Sequence, residues 1–172
     1  EGVNGIYRYL NAGTHPATFY LNDLSTDACF KSGLDYEIMN DNNLSGNVDV
    51  ARAYNGNWQM IGCANTAKDN ITLMDNSVFT GTKKQELLAE AHFMRAFAYY
   101  QLTNIFYRVP LITNGFHDAA ANPTLATVEE LDNQIERDLL IAVNNLPKTW
   151  STKDGGRPTV GAAYGYLMRL HM

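Results

Sequence analysis

Leu87-Leu88-Ala89-Glu90-Ala91-His92-Phe93-Met94-Arg95-Ala96-Phe97-Ala98-Tyr99-Tyr100-Gln101-Leu102 decides the fold. Its apolar residues occupy most sides of a 3.6-residue period, the pattern of a helix sunk between neighbouring helices and not laid on a surface. Ala91 and Ala98 leave room for those neighbours to approach closely. Upstream, Thr82-Lys83-Lys84-Gln85 reads as a capping box that opens this helix. Downstream the helix runs to about Phe106. Pro110 then disfavours helical backbone before it, so Val109-Pro110-Leu111-Ile112 is expected to be extended.

The same period recurs on both sides. Val3, Ile6, Tyr7 and Leu10 share one face of a short first helix, with Gly13 as its stop. From Val50 a stripe through Tyr54, Trp58, Ile61 and Ala64 predicts a second helix. Gly62 inside it costs roughly 1 kcal/mol against alanine unless close packing requires it. Thr127-Val128-Glu129-Glu130 is another capping box, and Val128, Leu131, Ile135, Leu139, Ala142 and Leu146 follow at intervals of three and four until Pro147. Thr159 is expected to cap a last helix with Ala163, Leu167 and Leu170 inward. No Gly or Pro stop follows Leu170, so residues 1–172 read as one helical domain and as a fragment of a longer chain.

Between the helices lie polar stretches. Thr14 to Asn47 is rich in Asn, Asp, Ser, Thr and Gly, carries Phe19, Tyr20, Phe30 and Tyr36, and has no sustained period. Structureless segments of such length in a compact domain are usually functional, so a site is sought there. A polar loop runs to Ala126, and another carries Trp150 and Gly155-Gly156. The fold expected is all-α, with tetratricopeptide-like helical hairpins and long ordered loops, although no clean 34-residue repeat shows.

The composition narrows the function classes. The chain's 172 residues, 45% of them hydrophobic and 18% charged, suffice for one packed domain. A net charge of −5 with scattered Lys and Arg gives no basic footprint for nucleic acid. No apolar run is long enough to span a bilayer, and Glu1-Gly2-Val3-Asn4 has no features of an export signal. Cys29 and Cys63 lack CxxC spacing; they are two buried thiols or, in an exported protein, a disulfide pair.

Catalytic and metal motifs are not assembled. His15, His92, His117 and His171 form no HExxH or i, i+4 pair, and no GxSxG elbow exists. Asp27 and Asp35 are a carboxylate pair of the kind a glycosidase needs, without a pattern to join them. Asp41, Asn43, Ser45 and Asp49 echo the start of a calcium loop, but its twelfth position is Arg52, a cation that opposes metal, so a hydrogen-bonded turn is preferred. Arg95 and Tyr99 share a helix face from which Glu90 is displaced, and the expected role of these groups is pairing with neighbouring helices. No cofactor is called for.

Glu90-Ala91-His92-Phe93-Met94-Arg95-Ala96-Phe97-Ala98-Tyr99-Tyr100-Gln101-Leu102 followed by Val109-Pro110-Leu111-Ile112 resembles the EA-x-F-L-R-A-F-x-Y helix and V-P-L-I turn of the SusD/RagB family. Trp58 to Asn65 is similar to that family's aromatic-x-x-I-x-x-A-N helix. Thr127 to Pro147 is similar to its T-V-x-E…D-L…L-P helix, and Gly156-Arg157-Pro158-Thr159 with Gly161-Ala162-Ala163 to its G-R-x-T-x-x-A-A segment. Tyr107 and Arg108 depart from the Gly and small or acidic residue usual at the turn, and Thr26-Asp27-Ala28 matches only part of an early acidic signature.

The resemblance implies a noncatalytic surface lipoprotein of the Bacteroidetes outer membrane, anchored by a lipid upstream of residue 1. Such a protein captures oligosaccharide or polysaccharide for a SusC-like TonB-dependent transporter, and its absent C-terminal part contributes to the glycan site. Sugars offer a C–H face to aromatic rings and hydroxyls to amides and carboxylates. On that ground Asp35, Tyr36, Asn40 and Asn42 in the long loop, with Trp150 in the later one, are the glycan-binding candidates. Trp58 lies on the apolar stripe and is assigned to the core. The rival readings are a helical scaffold that binds a protein and no sugar, and an accessory with hydrolase activity.

Overall fold

A computed structural model describes residues 2–10, 17, 21, 47–115 and 123–172. Asn47 starts the first long helix: its side chain accepts from the backbone N–H of Asp49 and Val50 at 2.9 and 3.3 Å, which satisfies two donors that a helix start leaves unpaired. Among the described residues there are five α-helices: α1 (Asn4–Tyr9), α2 (Val48–Leu73), α3 (Lys83–Phe106), α4 (Val128–Asn145) and α5 (Val160–Leu170). No strand occurs among them. An isolated β-bridge pairs Pro110 with Leu125 and closes the connection between α3 and α4.

The layering follows from the α3 pattern. With apolar residues on most sides, α3 packs on α2 along one flank and on α4 along the other, α4 packs on α5, and α1 lies against α2. Ile61, Tyr99, Leu102, Leu131, Ile135 and Leu139 have lost essentially all contact with solvent and form the middle of the core. Each such large side chain contributes roughly 1.5–3 kcal/mol by leaving water. Phe93 is buried and Phe97 half-buried, and both rings meet Tyr166 of α5 edge-on at 5.9 and 5.4 Å. The expected all-helical architecture is present, with α3 at its centre.

Several boundaries differ from the sequence expectation. Helix α2 continues to Leu73, well past the apolar stripe that ended at Ala64, because Ala67 and Ile71 extend the buried face through a polar stretch. The Thr127 capping box forms as expected, with Thr127 and Glu130 exchanging side-chain and backbone bonds. The Thr82 box does not. The Thr82 hydroxyl donates to Glu86 at 2.8 Å and accepts no bond from the start of the helix backbone. Thr159 opens α5, but its side chain makes no capping bond.

The end of α3 shows what the departure from glycine does there. Tyr107 has φ 65° and ψ −65°, and the Arg108 N–H donates to the Phe106 carbonyl at 2.7 Å. This is the strained γ-turn that side-chain-bearing residues rarely adopt. Two ties beyond it hold the chain in place: the Ala126 N–H donates to the Val109 carbonyl at 3.1 Å, and Arg108 Nε donates to the Ala126 carbonyl at 2.9 Å.

Gly13, His15, Phe19, Tyr20, Cys29, Phe30 and His117 lie outside the described residues, as do Asp27 and the whole of the Asp35–Ser45 group of candidates. Cys63 is half-buried, and burial pushes its thiol pKa up. No described helix is long and apolar enough to cross a membrane.

Candidate functional site

The polar residues of α3 do not face solvent. Arg95, nearly inaccessible, donates through Nε and one terminal nitrogen to both carboxylate oxygens of Asp138 on α4, each at 2.8 Å. Its other terminal nitrogen donates to Asn65 Oδ1 of α2 at 2.7 Å and to the Thr113 carbonyl at 2.8 Å. One guanidinium therefore links three elements, using the planar fork of donors that lysine lacks. The expectation that Arg95 pairs with neighbouring helices holds.

Asp138 also faces His92 Nδ1 at 2.7 Å. Burial alone would raise the Asp138 pKa, but the bonds and charges of His92 and Arg95 outweigh it, and the carboxyl titrates below the ordinary range. An ionised carboxylate only accepts, so His92 Nδ1 is the donor. The linkage sign follows: a lowered folded-state pKa stabilises the fold fully above the unfolded aspartate value of about 3.9, and that contribution is lost as pH falls through the folded value. Urea titrations from pH 6 to 2 are expected to show stability falling below about pH 4, with a shallower acid slope in Asp138→Asn.

This polar layer clamps residues 109–115 as a strap against α2 and α3. The Tyr99 hydroxyl donates to the Ile112 carbonyl at 2.9 Å and accepts from the Ile112 N–H at 2.7 Å, standing in for a strand partner. Its burial, only partly offset by the Ile112 bond, pushes the phenol pKa up to about 12. Asn65 Nδ2 also donates to Ile112 O at 3.0 Å, Lys68 Nζ to Thr113 O at 2.8 Å, and the Gly115 N–H to Asp69 at 2.7 Å. Gly115 is required: a Cβ there would sit 2.9 Å from the Thr66 Cα, a backbone atom that cannot step aside.

Between α2 and the strap lies a cleft of about 410 Å³. Tyr54, Trp58 and Ile61 form one side, Pro110, Ile112 and Pro123 another, and Asn55 and Asn114 stand at it as exposed amides. Its remaining lining, Gly62, Asn65 and Gly115, is also uncharged. The Tyr54 ring meets Trp58 and Phe106 edge-on at 6.0 and 5.1 Å, and Trp58 in turn meets Tyr99 at 6.1 Å. Trp58 is thus half core, as the stripe suggested, and half cleft wall. Its Nε1 is buried and has no hydrogen-bond partner among the described residues. Gly62 has no packing reason among the described residues, since a Cβ there would meet none of them within 4 Å.

The sequence candidates are distributed differently. Asp35, Tyr36, Asn40 and Asn42, and with them Asp41, Asn43 and Ser45, lie outside the described residues. Asp49 is buried at the start of α2 and pairs with Arg52 at 3.3 Å, the cation that its spacing had set against calcium. Trp150 does not line the cleft. Its indole N–H donates to Pro158 O at 2.7 Å, and Lys83 and Arg157 stand over its ring, 4.9 and 5.6 Å from the centre, so the N–H is committed and the ring carries two cations. Tyr54, Asn55 and Asn114 were missed because periodicity assigns Tyr54 to the core and says nothing of lone amides. The unexplained Gly62 was the available signal.

A second buried cluster joins the first helix to the fold. Glu90 of α3, with no solvent contact, accepts from Arg157 at 2.8 and 3.1 Å and from the Tyr7 hydroxyl, and Arg157 also donates to Asn4 at 2.8 Å. Burial first, then the Glu90 bond and charge, push the Tyr7 pKa well above the usual range.

Comparison with known proteins agrees with this architecture. The family model of SusD-like proteins, described as starch-binding and associating with the outer membrane, matches residues 3–172. A SusD-like protein of Bacteroides ovatus is 31% identical over 134 residues, which is 77% of this chain and 23% of that protein. A laminarin-binding SusD-like protein superposes with a TM-score of 0.80 at 25% identity, covering 99% of this chain and 38% of that one. Surface glycan-binding protein A from Bacteroides uniformis, at 15% identity, shares the fold with a TM-score of 0.84 over 99% of this chain and 40% of its own. The chain spans well under half the length of these relatives. A match along nearly every residue, on a helical frame whose buried ties are made by the motif residues Asn65, Glu90, Arg95, Tyr99, Asp138 and Arg157, means that the chain belongs to the SusD-like family.

Proposed function

We propose that this chain is part of a surface glycan-binding lipoprotein that captures oligosaccharide or polysaccharide at the bacterial outer membrane. It passes the sugar to a SusC-like TonB-dependent transporter, and it binds without performing chemistry. The observation that carries the reading is an uncharged aromatic and amide cleft on a SusD-like frame. Aromatic faces and amides are the groups that match a sugar's C–H surface and hydroxyls. The laminarin-binding relative supplies a ligand of that class. The loop residues Asp35, Tyr36, Asn40 and Asn42, together with Trp150, are proposed as further contacts.

Two measurements on the full-length protein test this. Calorimetric titration with neutral oligosaccharides is expected to show binding that weakens about tenfold in Tyr36→Ala, the equivalent of 1.4 kcal/mol. Affinity purification from outer membranes is expected to bring down a TonB-dependent transporter. Binding of a protein partner with no affinity for any glycan would favour the scaffold reading, and release of cleaved sugar would favour a hydrolase.

A further inference from the structure

We propose that the cleft between α2 and the strap is a subsite for one ring of an uncharged sugar chain, separate from the loop candidates; this rests on the glycan-binding reading. At about 410 Å³ the cleft has the volume of a small-ligand site. Its aromatic wall, Tyr54 and Trp58, suits the C–H face of a pyranose. Asn55 and Asn114 are exposed and each offers both donors and an acceptor, which is what a hydroxyl pair needs. Asn65 is not such a reader, because its amide is committed to Arg95 and Ile112.

Charge decides the class of ligand. All of the described residues that line the cleft are uncharged. The charged groups near the lining in sequence have partners of their own among the described residues: Arg52 pairs with Asp49 at 3.3 Å, Arg108 donates to the Ala126 and Leu125 carbonyls, Lys68 pairs with Asp69 at 3.0 Å and holds Thr113, Asp69 holds Gly115, and Arg95 is buried against Asp138. A uronate or sulfate would lose water there and gain no counter-ion from the described lining residues. Rigidity supports a built site. The strap is fixed by five side-chain partners, Asn65, Lys68, Asp69, Arg95 and Tyr99, so a ligand would not have to order it. Gly62 completes the case. It lines the cleft, a Cβ there would meet no described residue within 4 Å, and it weakens a helix that alanine would favour. Its absent side chain keeps the cleft open.

The test fills that space. In the full-length protein Gly62→Leu places a good helix former where a Cβ would meet no described atom within 4 Å, so the unfolding midpoint is expected not to fall. Calorimetry with a panel of neutral gluco-, xylo-, manno- and galacto-oligosaccharides is expected to show at least roughly tenfold weaker binding in Gly62→Leu. Tyr54→Ala and Asn114→Ala should each weaken it severalfold, and oligogalacturonide should not bind at this cleft in any variant. Neutral-sugar affinity unchanged in Gly62→Leu and Asn114→Ala, yet lost in Tyr36→Ala, would overturn the subsite and leave glycan capture standing. Oligogalacturonide binding that Gly62→Leu abolishes would overturn the uncharged class. Failure of the unaltered protein to bind any of these sugars would overturn the capture reading itself.

Discussion

Replacing Asp138 with alanine is expected to lower the unfolding free energy by about 3–5 kcal/mol, read from urea denaturation at neutral pH. The physical reason is the charge left behind. Arg95 would keep Asn65 and the Thr113 carbonyl, both neutral, as its partners in a site with almost no solvent contact. Removing one member of a buried pair strands the other, whereas replacing both by apolar groups of similar volume is often neutral. Accordingly Arg95→Met combined with Asp138→Leu is expected to recover most of the stability that Asp138→Ala loses. Arg95 also holds the strap, so the double variant should fold and yet bind ligand less well, since the Thr113 tie is gone. A loss below about 1 kcal/mol in Asp138→Ala, the range of an exposed pair, would refute this account.

Arg157→Ala is expected to cost a similar amount, about 3–5 kcal/mol, and more than Glu90→Ala. The asymmetry follows from burial. The Glu90 side chain has no solvent contact, while that of Arg157 keeps 19% of its accessibility and has Asp154 at 3.2 Å as a second anion. Without Arg157, Glu90 is a sequestered carboxylate facing only the Tyr7 hydroxyl among the described residues. Without Glu90, Arg157 can still turn to water and to Asp154. Thermal or urea unfolding of the two single variants compares them directly. An equal or reversed order would mean that the cluster is held by something other than the charge on Glu90.

Much of the frame was legible in the sequence, because burial writes itself as period. Helices α3 and α4 and the Thr127 box follow from local spacing and local hydrogen bonds. The full length of α2 did not, since Asn65, Thr66, Lys68, Asp69 and Asn70 hide its continuing apolar face; Asn65, Lys68 and Asp69 are polar because they grip the strap. Thr82 misled for a related reason: its hydroxyl turns to an acid four residues on and not to the backbone N–H groups that a cap serves, and sequence does not state which orientation wins. Arg95 was recognisable as a paired charge, but its partners lie 18 to 43 positions away and no local rule names them. The cleft was least legible. It exists between two segments, and a stripe assigns a tyrosine or tryptophan to one face without saying where that face ends.

The Arg157–Asn4 bond spans 153 positions and shares its guanidinium with Glu90. This sets the order in which native contacts can be made. Docking the first helix before Arg157 arrives would confine an acid without its counter-charge, so that step is delayed until the distant arginine is delivered. The central hairpins, built from near neighbours in the chain, have no such wait. Assembly is therefore expected to proceed from the middle outward, which pulse-labelled amide exchange would read as late protection of residues 4–9.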